Sequence, residues 1–204
     1  MFIPTAAVII AIPGPSVIFL VSRALAHESR AALLSVVGNT LGEYLQVIAV
    51  AFGVGAIVED SVVAFNLLKL AGGLYLVYLG IRTFRRRKDL AEAMRAVAPP
   101  RSAWQSFLEA SLVGATNVKT VIFMAAILPQ FVNRAAGTVW LQILILGAIF
   151  AVIALVSDGI WVLMAGRFRN WFASSPRRLE LVGGTGGLAI AAVGTGLLLT
   201  GRKS

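Results

Sequence analysis

Three ionisable side chains, Glu43, Lys119 and Asp158, lie well inside apolar stretches of the sequence, and a fourth, Glu109, lies near the edge of one. A charge at the centre of a membrane helix costs about 2.5–3.5 kcal/mol on insertion scales, so such residues face a cavity or a partner. Glu43 belongs to a pattern. Ser35, Asn39, Glu43 and Gln46 follow at i, i+4, i+8 and i+11, one face of a helix whose other faces are Leu, Val, Ile and Ala. Amides alone would glue two helices by hydrogen bonds. An ionisable carboxyl on the same stripe points to a polar cavity, where an acid can exchange a proton or meet an amine. Gly38 and Gly42, beside the stripe, let another backbone come close.

The backbone offers a second kind of chemistry at Pro13-Gly14-Pro15. Proline has no N–H and its ring clashes with the carbonyl of residue i−4, so two prolines around a glycine leave carbonyls unpaired. At membrane depth that is tolerable only against protein or a watery cavity. The half-helix that restarts after the break favours an anion such as a carboxylate at its N-terminus. Ser16, at that start, can cap it or touch a ligand. Asn117 and Lys119 would add an amide and a cation from the other end of the chain.

Membrane spans must position these groups. Of 204 residues, 58% are hydrophobic and 13% charged, with no cysteine and one histidine, and the mean hydropathy is +0.87. Charge at about half the level of a soluble domain excludes an ordinary water-soluble enzyme or a disordered chain. Without Cys, and with His27 set in a turn beside Arg30, thiol chemistry, a soft-metal site and a nucleophile–base pair for an intramembrane enzyme drop out; no cofactor is expected. Gly184, Gly186 and Gly187 mimic a nucleotide-binding loop but lie inside an apolar run with no strand before them, and read as packing.

Six apolar runs are long enough to cross a hydrocarbon core of about 30 Å, at about 2–22, 33–57, 62–81, 106–128, 138–164 and 181–200. The expected fold is therefore an all-α membrane protein of six transmembrane helices forming one transporter domain, with helices 1 and 4 interrupted. The first run lacks the basic start and small-residue cleavage site of a signal peptide. At 1.5 Å rise per residue, Glu43 lies about 15–18 Å deep. Pro13 and Lys119 reach a similar depth, with Trp104 as an interfacial anchor for the fourth run. Asp158 lies nearer one face, and Glu109 reads as interfacial.

The net charge of +9 is unevenly placed. Arg23 and Arg30 follow the first run, the third is followed by Arg82, Arg85, Arg86, Arg87, Lys88, Arg95 and Arg101, and the fifth by Arg167, Arg169, Arg177 and Arg178. The opposite face has Arg134, Arg202 and Lys203, with Lys69 at its edge and the acidic pair Glu59-Asp60. Cytoplasmic loops collect cations, which places the basic loops inside and both termini outside. The run 82–88 reads as a juxtamembrane cluster rather than a nucleic-acid contact.

Leu68-Lys69-Leu70-Ala71-Gly72-Gly73 and Leu179-Glu180-Leu181-Val182-Gly183-Gly184 agree at four of six positions, 111 residues apart. Pro13-Gly14-Pro15 has a counterpart in Thr116-Asn117-Val118-Lys119, and Glu43 one in Asp158. Three spans per half make the halves insert in opposite orientations, repeat 1 over about 1–82 and repeat 2 over about 104–204, joined by a basic loop at about 83–103. Inverted repeats with corresponding broken helices point to a transporter with its site between the halves.

These landmarks resemble the LysE/RhtB family of amino-acid exporters over nearly the whole chain. The family's P-G-P matches Pro13-Gly14-Pro15, and its G-x-x-x-G-[DE] matches Gly38, Gly42 and Glu43. Its L-K-x-x-G-x-x-Y-L-x-Y-L-G is similar to Leu68, Lys69, Gly72, Tyr75, Leu76, Tyr78, Leu79 and Gly80. Its N-P-K and L-P-Q-F match Asn117 and Lys119, then Leu128, Pro129, Gln130 and Phe131. Val118 stands where the family has the proline of N-P-K, so a gentler break is expected there. The resemblance implies proton-driven efflux of amino acids or similar small metabolites across a bacterial inner membrane.

The sequence thus predicts substrate-binding residues Pro13, Gly14, Pro15, Ser16, Asn39, Glu43, Asn117 and Lys119, with Glu43 or Asp158 exchanging the proton. Expected partners are a small amino acid, protons and the lipid bilayer, with a second copy of the chain left open and nucleic acid not expected. The alternatives are a non-transporting membrane scaffold or assembly subunit, and a transporter of another metabolite or ion.

Overall fold

A computed structural model describes residues 2–26, 29–60, 62–95, 102–168 and 175–199. His27, Arg101, Arg169, Arg202 and Lys203 lie outside the described residues. Among those described there is helix and no strand.

The first helix, α1 (Phe2–Ala11), stops where Pro13 disfavours α geometry in the residue before it and withholds a donor. Pro15 then occupies the first position of α2 (Pro15–Ala26), where a missing N–H is harmless, and Ile18 N–H donates to Gly14 O at 3.0 Å. The pair is bent by 53°. Next come α3 (Ser29–Asp60) and α4 (Val62–Arg85). A short amphipathic α5 (Arg87–Arg95) corrects the reading of 83–103 as a plain loop.

A capping box opens α6 (Ala103–Ala115): Gln105 N–H donates to Ser102 Oγ and Ser102 N–H to Gln105 Oε1. After Thr116-Asn117 the helix restarts as α7 (Val118–Ile122), runs through a π turn (Phe123–Ile127) and ends in a 3-10 turn over Leu128–Phe131. Gln130 turns its amide back onto Ala126 O. The bend from α6 into this segment is 40°. A 29-residue α8 (Val139–Arg167) and α9 (Pro176–Leu199) complete the chain.

α3 and α8 each contain a stretch long and apolar enough to cross a membrane alone, and the two bent pairs raise the candidate spans to four. α3 packs along α6 and α8, and α8 also packs across α1 and α2. α4 and α9 run against each other. Glycines set these distances. A Cβ at Gly38 or Gly42 would lie 2.3 or 2.0 Å from the carbonyl oxygens of Phe107 or Ser111, and one at Gly114 2.1 Å from Asn39 O. Gly80 and Gly187 do the same between α4 and α9, and Gly186 rests on Pro13. The second glycine group is thus packing, as expected.

Two apolar cores result. One joins Ile9, Ile12, Val47, Leu76, Phe123, Ile143, Phe150 and Ala154. The other joins Val17, Leu20, Val36, Ala91 and Val162. The first broken pair, α3 and α8 each run from one to the other through a break or through polar residues: 13–16 on the pair, 39–46 on α3, and Asp158 on α8. The two cores enclose a polar layer.

Candidate functional site

The layer holds Glu43, Lys119 and Asp158, which are 5%, 6% and 3% exposed, with Ser16, Asn39, Thr40, Gln46, Asn117 and Thr120 buried around them. The period of α3 delivers Asn39, Glu43 and Gln46 to one side. There Glu43 Oε1 accepts from Asn117 Nδ2 at 2.9 Å and from Thr120 Oγ1 at 3.0 Å. Asn117 stands at the N-cap position of α7 but does not cap it. Its amide serves Glu43 and Thr120 instead. Asn39 Nδ2 donates to Asp158 Oδ2 at 3.3 Å. Glu43 and Asp158 thus sit on the same layer as Lys119, each held by an amide.

Lys119 reaches across to the first break. Its Nζ donates to Ile9 O at 3.1 Å and to Ile12 O at 3.0 Å. Ile9 O is the carbonyl that residue 13 would serve in an unbroken helix, and proline cannot. A cation at the C-terminal end of α1 also suits the helix dipole. The lysine stem passes over Gly14, where a Cβ would sit 3.3 Å from its Cδ and Cε. An ammonium has three donors, and two of them are engaged here.

Gln46 plays the matching role at the second break. Its Nε2 donates to Gly114 O at 2.9 Å and to Asn117 O at 3.2 Å. Several atoms nevertheless find no hydrogen-bond partner among the described residues, including Ser16 Oγ, Asn39 Oδ1 and Asn117 Oδ1. Buried polar atoms are nearly always bonded, so these mark a layer able to take a polar guest. The cavity beside Lys119, walled by Ile9, Ile12, Leu76, Phe123, Ile190 and Val193, measures about 10 Å³. That is about the space for one water, so the site is closed.

Seven of the eight predicted substrate residues, and Asp158, are buried at this layer, while Pro15, at the first turn of α2, is exposed. The sequence reading left Thr120 out, although its i+3 spacing from Asn117 places both on one side of a helix that restarts at 118. It kept Gln46 on the stripe without a role. It also misplaced Arg23, counted among the loop cations. The helix runs on to Ala26, and Arg23 is buried, ion-paired to Glu109 of α6 and stacked over Phe19. Glu109, read as interfacial, is partly exposed and paired to Arg23.

A sequence profile described as LysE type translocator matches residues 7–201. The chain is 32% identical over 170 residues to a membrane protein of Vibrio cholerae, covering 82% of each. It is 29% identical over 192 residues to a homoserine/homoserine lactone efflux protein of Salmonella typhimurium, covering 94% of this chain and 91% of that one. A leucine efflux protein of an Enterobacter strain is 26% identical over 179 residues, covering 86% and 82%. No solved structure matches. Profile and relatives extend over the broken helices and the polar layer alike, and the chain belongs to the LysE type translocators, a family of multi-pass membrane transporters and not of enzymes.

Proposed function

We propose that the protein is a secondary-active exporter of amino acids or similar small zwitterions, exchanging them for protons across the inner membrane. In this reading six spans form two inverted halves, with basic loops in the cytoplasm and both termini outside. α4 and α9, at 24 residues each, are about 36 Å long and supply the third span of each half. Reciprocal packing supports the repeat: α3 lies against the broken pair of the second half, and α8 against that of the first.

One observation carries the reading. Two carboxyls and one ammonium share a dry layer at the two helix breaks. With all three charged, the layer holds one uncompensated negative charge, which a low-dielectric interior does not tolerate. A proton on either acid removes it. The ammonium of a bound amino acid needs one of the same acids ionised, because a protonated carboxyl cannot pair with it. Proton and amine therefore compete for one carboxyl, and that competition exchanges them.

The substrate carboxylate fits the start of α2, where Ser16 Oγ is without a partner and the first N–H groups point into the break. Lys119 has a third donor to add. The amine meets Glu43 or Asp158. The names of the relatives put leucine and homoserine first among substrates to test. Closing homoserine to its lactone removes the free carboxylate and keeps the amine, which makes the amine the more general handle.

The test is export of labelled amino acids from loaded vesicles with and without a pH gradient. Wild type should export in a gradient-dependent way. Glu43→Gln should lose export by at least about 100-fold, the effect of roughly 2.7 kcal/mol, while inserting normally. Unchanged export by that variant removes Glu43 from the mechanism, and failure of every substrate favours the scaffold.

A further inference from the structure

We propose that the carbonyls of Ile9 and Ile12, at the broken end of α1, form a binding site for a primary ammonium group, which Lys119 fills in this closed state and the exported molecule's amine takes over. The inference rests on the exporter reading and adds a seat that the amine occupies on entry, before it meets Glu43 or Asp158.

The two breaks set the argument. At the second, where both carbonyls also accept backbone N–H groups, a neutral amide, Gln46, adds a donor to each. At the first, the side chain brought to the carbonyls is a lysine, buried and held on carbonyls rather than on a carboxylate. Glu43 is occupied by Asn117 and Thr120, and Asp158 by Asn39. Satisfying two carbonyls does not require a charge, and a charge at this depth is costly. What an ammonium has that an amide lacks is identity with the polar head of an amino acid.

The surroundings fit a guest of that kind. The wall beside the ammonium is Leu76, Phe123, Ile190 and Val193, and with the lysine in place it leaves about 10 Å³. A ligand can enter only if the lysine moves aside. An amino acid carries its carboxylate one carbon from its ammonium. An amine entering the carbonyl pair therefore brings a carboxylate to the ammonium it displaces, while Ser16 waits on the other side of the break. Lys119 exchanges two carbonyls for a carboxylate, and the empty carrier keeps its own cation in the seat. Gly14 gives the stem room for that movement.

The experiment measures binding without transport, on full-length protein in detergent or nanodiscs. Lys119→Met should lower Tm by on the order of 5 °C. Methylammonium and ethylammonium should recover at least half of that loss saturably. Tetramethylammonium, which has no N–H, should not recover it at equal ionic strength. Wild type, its seat filled, should show no such shift. Absence of a methylammonium-specific shift in the variant overturns the inference, and so does an equal shift in wild type. Should Lys119→Met not survive extraction, Lys119→Ala, which likewise leaves the carbonyls without a side-chain donor, is measured in native membrane vesicles, and methylammonium must still raise its Tm. Gradient-driven export without an alkylammonium shift defeats this inference alone; no export of any substrate defeats the functional reading.

Discussion

The two interrupted helices solve one problem by different chemistry. Between α1 and α2 the backbone is broken outright: two prolines remove donors, the bend is 53°, and an ammonium from the other half of the chain holds the loose carbonyls. Between α6 and α7 the bend is 40° and the backbone stays partly connected. Asn117 N–H still donates to Gly114 O and Val121 N–H to Asn117 O, and Gln46 adds a second donor to each acceptor. The gentler break needs only an amide, while the severe one carries a charge. The contrast separates what a broken helix requires for stability from what the site adds for function.

Three substitutions sharpen or break that contrast. The largest effect is expected from Lys119→Gln, which gives the first break the amide of the second. The chain should insert and keep most of its stability, while export falls by at least about 100-fold. Retained export would mean that the charge is dispensable. Gln46→Leu comes next. Gly114 O and Asn117 O keep their backbone donors, so the loss should be about 1 kcal/mol, read as a small fall in Tm. Asn117 is left less firmly aimed at Glu43, and export should drop several-fold. A collapse of the fold would show that the second break is as fragile as the first.

Val118→Pro should do least. Val118 is the first residue of α7, where proline is tolerated, and half-exposed. Asn117 already has φ −71° and ψ 100°, the extended geometry that a following proline demands. Stability should change by less than about 1 kcal/mol. A large loss would mean that the Val118 N–H is doing a task that the geometry does not reveal.

The same residues show what a sequence can disclose. The stripe of Asn39, Glu43 and Gln46 was readable because one uninterrupted helix keeps the 3.6-residue period across it. Pro13-Gly14-Pro15 was readable because the missing N–H is a covalent fact. The seat of Lys119 was not: its carbonyls lie 110 and 107 residues away, and no local rule selects them. Arg23 was misread for a related reason. α2 continues through Ala24-Leu25-Ala26, good helix formers, and the acid that pairs with Arg23 lies 86 residues on. α5 was hidden because nine residues rich in Arg and Lys look like any basic loop.

The glycine contacts have a mechanical consequence. α3 and α6 touch backbone to backbone at Gly38, Gly42 and Gly114, and α4 and α9 do so at Gly80 and Gly187. Each clasp joins a helix from the first half of the chain to one from the second. Halves interlocked in this way cannot rock as separate bodies. An opening of the polar layer that keeps these contacts has to pull the two clasped pairs away from each other.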